Sequence, residues 1–170
     1  RLELAEGTAR EAWRTGGLLL ALRPEDPDLL RQMAQLGEWL GNSRKALDHW
    51  AAYLELREDP QAREHAWRLA YQLYDYERGI ALMEPAARDR RLSDEKLDAV
   101  VFGYDSLGEP ARSEAWLRQY LRRYPSHRLA WERLVQNLEN TQQFEAQTAV
   151  WDRMAQRFDL SIAERIQWAS

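Results

Sequence analysis

The chain has 170 residues, 45% hydrophobic and 31% charged, with eight Trp, seven Tyr and no Cys. That is too apolar and aromatic for a disordered segment, and without Cys neither a disulfide nor a thiolate metal site can form. The net charge of -4 argues against phosphate-driven binding to nucleic acid, which needs a basic surface. The longest apolar run, Leu18 to Leu22, falls far short of the ~20 residues of a membrane helix.

In chain order the pattern predicts amphipathic helices separated by short breaks. Thr8 is placed to cap a helix reaching about Leu22, and Pro24-Glu25-Asp26-Pro27 forms a joint. A helix from Pro27 to about Leu40 ends at Gly41-Asn42, and Ser43 opens another to about Arg57. Pro60 starts a helix to about Tyr74, followed by one from Tyr76 to about Asp89. Ser93-Asp94 caps a helix to about Leu107, Gly108 breaks it, and Pro110 begins one that stops at Tyr124-Pro125. Ser126 to Asn140 and Gln143 to Phe158 complete the series, with Ser161 capping a last, short helix. No strand is predicted. Gly7, Gly41 and Gly108 read as helix closers, while Gly16-Gly17 inside a helical stretch points to close packing or a kink.

These helices repeat about every 34 residues. Leu30-x-x-Met33-Ala34-x-x-Gly37 recurs as Arg63-x-x-Ala66-Trp67-x-x-Ala70, Leu97-x-x-Val100-Val101-x-x-Tyr104 and Trp131-x-x-Leu134-Val135-x-x-Leu138. Trp50, Met83, Leu117 and Trp151 form a second series in the same register. Each unit must therefore present the same faces to its neighbours, as in an array of stacked helix pairs. The expected modules are 27–59, 60–92, 93–126 and 127–160, flanked by partial repeats at 1–26 and 161–170. A start at Arg1 without Met and a stop within a helical pattern suit a segment of a longer protein, so any signal peptide or membrane barrel is expected outside it.

The motif resembles the tetratricopeptide repeat, best at Trp131-Leu134-Val135-Leu138, with Ala46 at the small site between helices, Trp50 at the aromatic site, and Pro24 and Pro125 as terminators. Departures are Ser113 and Gln147 at the small site and Trp67 where a glycine is usual. The resemblance implies an all-α solenoid, a right-handed superhelix of antiparallel helix pairs. Stretches such as Leu69-Ala70-Tyr71-Gln72-Leu73-Tyr74-Asp75-Tyr76 further look like the periplasmic repeat regions of bacterial exopolysaccharide exporters of the Pel type, which precede an outer-membrane barrel. That implies a periplasmic, non-catalytic scaffold for a protein partner, a polysaccharide deacetylase or hydrolase, and a cationic polymer passing by. The alternatives are a carbohydrate-binding groove without a protein partner, a cytosolic tetratricopeptide adaptor, or an RNA-processing scaffold.

In such families the first helix of each pair lines the groove. The corresponding polar stripe comprises Asp28, Arg31, Gln35, Glu38; Gln61, Glu64, Arg68, Tyr71; Glu95, Asp98, Phe102, Asp105; and Leu129, Glu132, Gln136, Glu139. Eight acids against two arginines give the stripe -6, leaving +2 for the rest of the chain. An acidic groove with Tyr71 and Phe102 suits a basic helix, a basic loop or a cationic polymer, and a solvated helix face explains the same pattern equally well. Arg112, Arg118, Arg122, Arg123 and Arg128 form a basic cluster around Pro125 that could dock an acidic surface. Trp39 and Trp116 lie off the apolar series, where a partly exposed indole would serve as an interface anchor or a sugar-stacking platform, and packing in the core or at its rim is the commoner role of such a residue. His49, His65 and His127 have no partner at metal-ligand spacing, and no nucleophile or phosphate-loop motif occurs. No catalytic residue, metal or cofactor is expected.

Overall fold

Every break between paired helices is closed by one residue with a left-handed backbone, and that residue recurs with the sequence period. Gly41, Tyr74, Gly108 and Gln142 have φ of 74°, 58°, 69° and 57°, at spacings of 33, 34 and 34 residues. The residue after each donates its N–H back to a carbonyl in the last helical turn: Asn42 to Gly37 at 2.7 Å, Asp75 to Ala70 at 2.9 Å, Glu109 to Tyr104 at 3.0 Å and Gln143 to Leu138 at 2.9 Å. This is the Schellman closure, which satisfies carbonyls that the ending helix leaves without donors. Glycine takes the left-handed conformation without a Cβ clash. Tyr74 and Gln142 take it at a cost.

The computed structural model describes the backbone of residues 2–169 and the side chains of residues 7–166. Its helices are α1 (Leu2–Leu22), α2 (Pro27–Trp39), α3 (Ser43–Leu56), α4 (Pro60–Gln72), α5 (Tyr76–Asp89), α6 (Asp94–Leu107), α7 (Pro110–Arg123), α8 (Arg128–Asn140), α9 (Phe144–Ala155) and α10 (Ile162–Ala169). Among the described residues there is no strand. The chain groups into two compact units, 1–82 and 83–170, divided within α5 just before Pro85, whose missing N–H removes a helical hydrogen bond.

The helix starts follow the same period. Asp26 accepts from the Leu29 N–H and Asp59 from the Gln61 and Ala62 N–H groups, each followed by Pro at the first helical position, and Ser93 accepts from Lys96. At the fourth such position, His127, the side chain makes no cap. Ser161 caps α10 as the sequence predicts, with Glu164 reciprocating as acceptor for the Ser161 N–H at 2.7 Å, a capping box. Thr8 is a correction. It lies inside α1, as does Gly7, so neither starts or closes a helix.

In the first unit α2 packs on α1 and α3, and α3 on α4. In the second, α7 packs on α6 and α8, α8 on α9, and α6 touches α8. Contacts thus run between neighbours in the chain or between successive first helices, as a repeat architecture requires. The periodic positions supply the core: Trp50, Met83, Leu117 and Trp151 are all buried, as are Leu30, Leu97 and Trp131. Gly16 is buried where a Cβ would stand 2.2 Å from the Met33 Sδ, so close packing of α1 on α2 explains one of the two adjacent glycines. Gly17 has open space around it.

Candidate partner-binding surfaces

In the first unit the stripe from α2 and α4 borders a cleft of about 440 Å³ lined by Arg31, Gln35, Glu38, Gln61 and His65. Glu38 is its polar centre. It accepts from the Trp50 Nε1–H at 2.7 Å and lies 2.7 Å from the His65 Nε2, whose ring also meets Trp50 edge-on. Asp59, at the α4 N-terminus, accepts from Ala62, Gln61 and the Tyr53 hydroxyl. The Ala62 N–H in the first place, then the Tyr53 and Gln61 donors, hold its carboxyl below the usual range, against desolvation.

The other candidates of this unit have local partners. Exposed Asp28 stands 3.8 Å from Arg31. Glu64 pairs with Arg68 one turn on at 3.1 Å, and the Arg68 guanidinium lies over the Trp67 ring. Tyr71 is turned into packing between α4 and α5: its ring meets Trp67 and Tyr76 edge-on and lies where a Cβ on Gly79 would stand, 2.4 Å from its Cε2.

In the second unit α6 and α8 border a cleft of about 290 Å³ lined by Asp98, Phe102, Asp105, Arg133, Gln136 and Asn137. Arg133, outside the sequence-derived stripe, grips Asp98 with two N–H groups at 2.6 and 3.1 Å and reaches Gln136 with a third at 3.2 Å. Planar forked pairing of this kind fixes both side chains. Phe102 is 56% exposed beside it. Desolvation pushes the Asp105 carboxyl above its ordinary pKa, with Arg133 opposing, although the residue as a whole is exposed. Glu95 and Glu139 are exposed at opposite ends of α6 and α8, and Glu132 pairs with Arg128 at 2.9 Å. Two of the stripe's acids, Asp98 and Glu132, are therefore paired with arginines outside it, Arg133 and Arg128, since one-dimensional periodicity does not show which bases reach across.

Of the five arginines expected to cluster, Arg118 and Arg122 line one cleft, and the others take partners elsewhere. Arg112 bonds Glu109 and Arg118 bonds Glu114. Arg123 donates to the Arg88 carbonyl at 3.0 Å. Arg128 belongs to α8, where it bonds both Glu132 and Glu164 and lies over Phe158. Trp39 is 54% exposed and Trp116 is half-buried, stacked on Tyr120 at 5.1 Å.

Sequence reasoning missed the best-made polar cluster. His127 is 1% exposed. Its Nδ1 lies 2.8 Å from the Tyr120 hydroxyl, which accepts from the Leu92 N–H at 2.9 Å, and its Nε2 lies 2.9 Å from Asp94. The ring thus bridges the Tyr120 hydroxyl and the Asp94 carboxylate through its two nitrogens. The signal was the period: His127 stands where Asp26, Asp59 and Ser93 cap their helices. The described residues contain no group of three or more His, Asp or Glu arranged to hold a metal.

With this geometry the chain resembles a structure of Naa15/Naa10 bound to HypK-THB, at a TM-score of 0.56, 13% identity, 94% of this chain and 30% of that one. A crystal structure of MamA matches at a TM-score of 0.50 with 13% identity over 91% of both chains, and one of YrrB, a TPR protein with an unusual peptide-binding site, at 0.46 with 15% identity over 84% of this chain and 74% of that one. The fold is the all-α tetratricopeptide type. No protein-family model and no curated protein matches the chain. The repeats here keep the period while varying the small site, where Ala46, Gly79 and Ser113 are buried and Gln147 is partly exposed.

Proposed function

We propose that this chain is a non-catalytic scaffold that holds a protein partner through the clefts of its first helices. The observation that carries the reading is the α6–α8 cleft, where exposed Phe102 stands beside the fixed Asp98–Arg133 pair and the partly desolvated Asp105. An exposed aromatic next to rigid, directional charge is the composition of an interface anchor. The structure of Naa15/Naa10 bound to HypK-THB is an instance of this fold within a multiprotein complex.

The host we propose is a Pel-type exopolysaccharide exporter, with this segment in the periplasm ahead of an outer-membrane barrel. The partner is then a periplasmic polysaccharide deacetylase or hydrolase, and the acids of the first-helix faces help guide a cationic polymer. The texture of the repeats supports this, together with the acid of the first-helix faces. Pull-down from periplasmic extract tests it: wild-type chain is expected to retain such an enzyme and the Phe102→Ala, Asp105→Asn double variant to lose it. Retention of no polysaccharide-modifying enzyme by wild type refutes the proposed host. A saturable change in tryptophan fluorescence on titration with cationic oligosaccharide supports the polymer role, and a flat titration removes it.

A further inference from the structure

The second unit has a different cleft on the side of its second helices, about 540 Å³ in volume, between α7 and the end of α9. Four arginines line it: Arg118 and Arg122 from α7, Arg153 from the last turn of α9 and Arg157 just beyond. Leu121 and Leu134, both buried, form its apolar wall. No acid is among its lining residues. Arg118 is bonded to Glu114 at 2.7 Å, and the other oxygen of that carboxylate accepts from Gln143 at 2.9 Å, so Glu114 is fully engaged. Among the described residues no acid pairs with the guanidinium of Arg122, Arg153 or Arg157. In a chain of net charge -4, three uncompensated guanidiniums at one cleft are a local inversion of sign.

We propose that this cleft docks a short acidic segment of a partner protein, its carboxylates on Arg122, Arg153 and Arg157. Charge complementarity selects the occupant. Guanidinium forks match carboxylate geometry, and low-dielectric walls concentrate the field of the arginines at the cleft. A nucleic acid suits it less, because a polyphosphate backbone continues past the cleft and the chain as a whole carries a net charge of -4. Its four arginines come from α7 and the end of α9 and lie outside the first-helix polar stripe, so it stands or falls independently of the function proposed above. It shares Arg118 and Arg122 with the arginine cluster expected from sequence, whose Arg112 and Arg128 bond acids of their own, and adds Arg153 and Arg157 from the following repeat.

Fluorescence anisotropy with a labelled short peptide of alternating Glu and Leu is the test, with the Gln-for-Glu peptide and a single-stranded DNA of equal charge as comparators. The acidic peptide is expected to bind saturably, more weakly at 150 mM than at 20 mM salt. The Arg122→Gln, Arg153→Gln, Arg157→Gln variant, shown folded by circular dichroism, is expected to bind about tenfold more weakly, ~1.4 kcal/mol. Arg112→Gln and Phe102→Ala are expected to bind like wild type. Absence of saturable binding to wild type, equal loss with Arg112→Gln, or DNA binding as tight as the peptide's would each overturn the proposal.

Discussion

Replacing Gln142 with Gly should make the protein more stable, and the reasoning can be followed residue by residue. Gln142 holds φ at 57°, a conformation that costs an L-residue about 1–2 kcal/mol. Glycine removes that cost but brings an unfolded-chain entropy penalty of about 0.5–1 kcal/mol, leaving a net gain of about 0.5–1 kcal/mol. The Gln142 side chain is exposed and makes no hydrogen bond among the described residues, while its N–H bond to the Glu139 carbonyl at 2.9 Å is retained by glycine. Urea unfolding followed by circular dichroism measures the effect as a rise in midpoint at unchanged slope. The internal control is Gln119→Gly, an exposed position in the body of α7 with ordinary helical geometry, which should lose about 1 kcal/mol. If Gln142→Gly loses stability as Gln119→Gly does, the left-handed closure is not a periodic property of this fold. Tyr74→Gly should gain less, because the Tyr74 ring meets Tyr76 edge-on at 6.3 Å.

Truncation of His127 to Ala empties a fully buried site and leaves the Tyr120 hydroxyl without its imidazole partner. A loss of about 3 kcal/mol is expected in urea unfolding, and a loss under 1 kcal/mol would show the network to be dispensable. The pH dependence follows from carboxyls held below their ordinary range: Asp94 chiefly by its bond to His127, Asp59 by the Ala62 N–H and Glu164 by Ser161. A depressed folded-state pKa gives stability that is present above the unfolded-chain value, about 4, and is lost as pH falls through the folded value. The urea midpoint should therefore drop between pH 5 and pH 2, less steeply in an Asp59→Asn variant. An unchanged slope there would refute Asp59 as a contributor.

The fold and the faces separated cleanly in what the residues disclosed. Leu97-x-x-Val100-Val101-x-x-Tyr104 and its three equivalents announce buried helix faces because burial of a face imposes the 3.6-residue period, and stacking of identical units imposes the 34-residue one. Pro27, Pro60 and Pro110 mark helix starts and Gly41 and Gly108 helix ends for reasons local to the backbone. Thr8 misled because a residue able to cap does not create a helix start: the helix simply runs through it. Tyr74 and Gln142 gave no local sign of their left-handed backbone, since the closing hydrogen bonds and the packing on either side force it on them.

What the amino acids decided alone was the number, order and apolar side of the helices, since these depend on spacings along one chain. Which charges remain free was decided only in three dimensions. Arg133 reaches Asp98 across 35 residues, Arg128 reaches Glu164 across 36, and His127 reaches Asp94 across 33, each roughly one repeat away. A salt bridge depends on separation in space to within an ångström or so, and side chains one repeat apart become neighbours only once the helices have stacked.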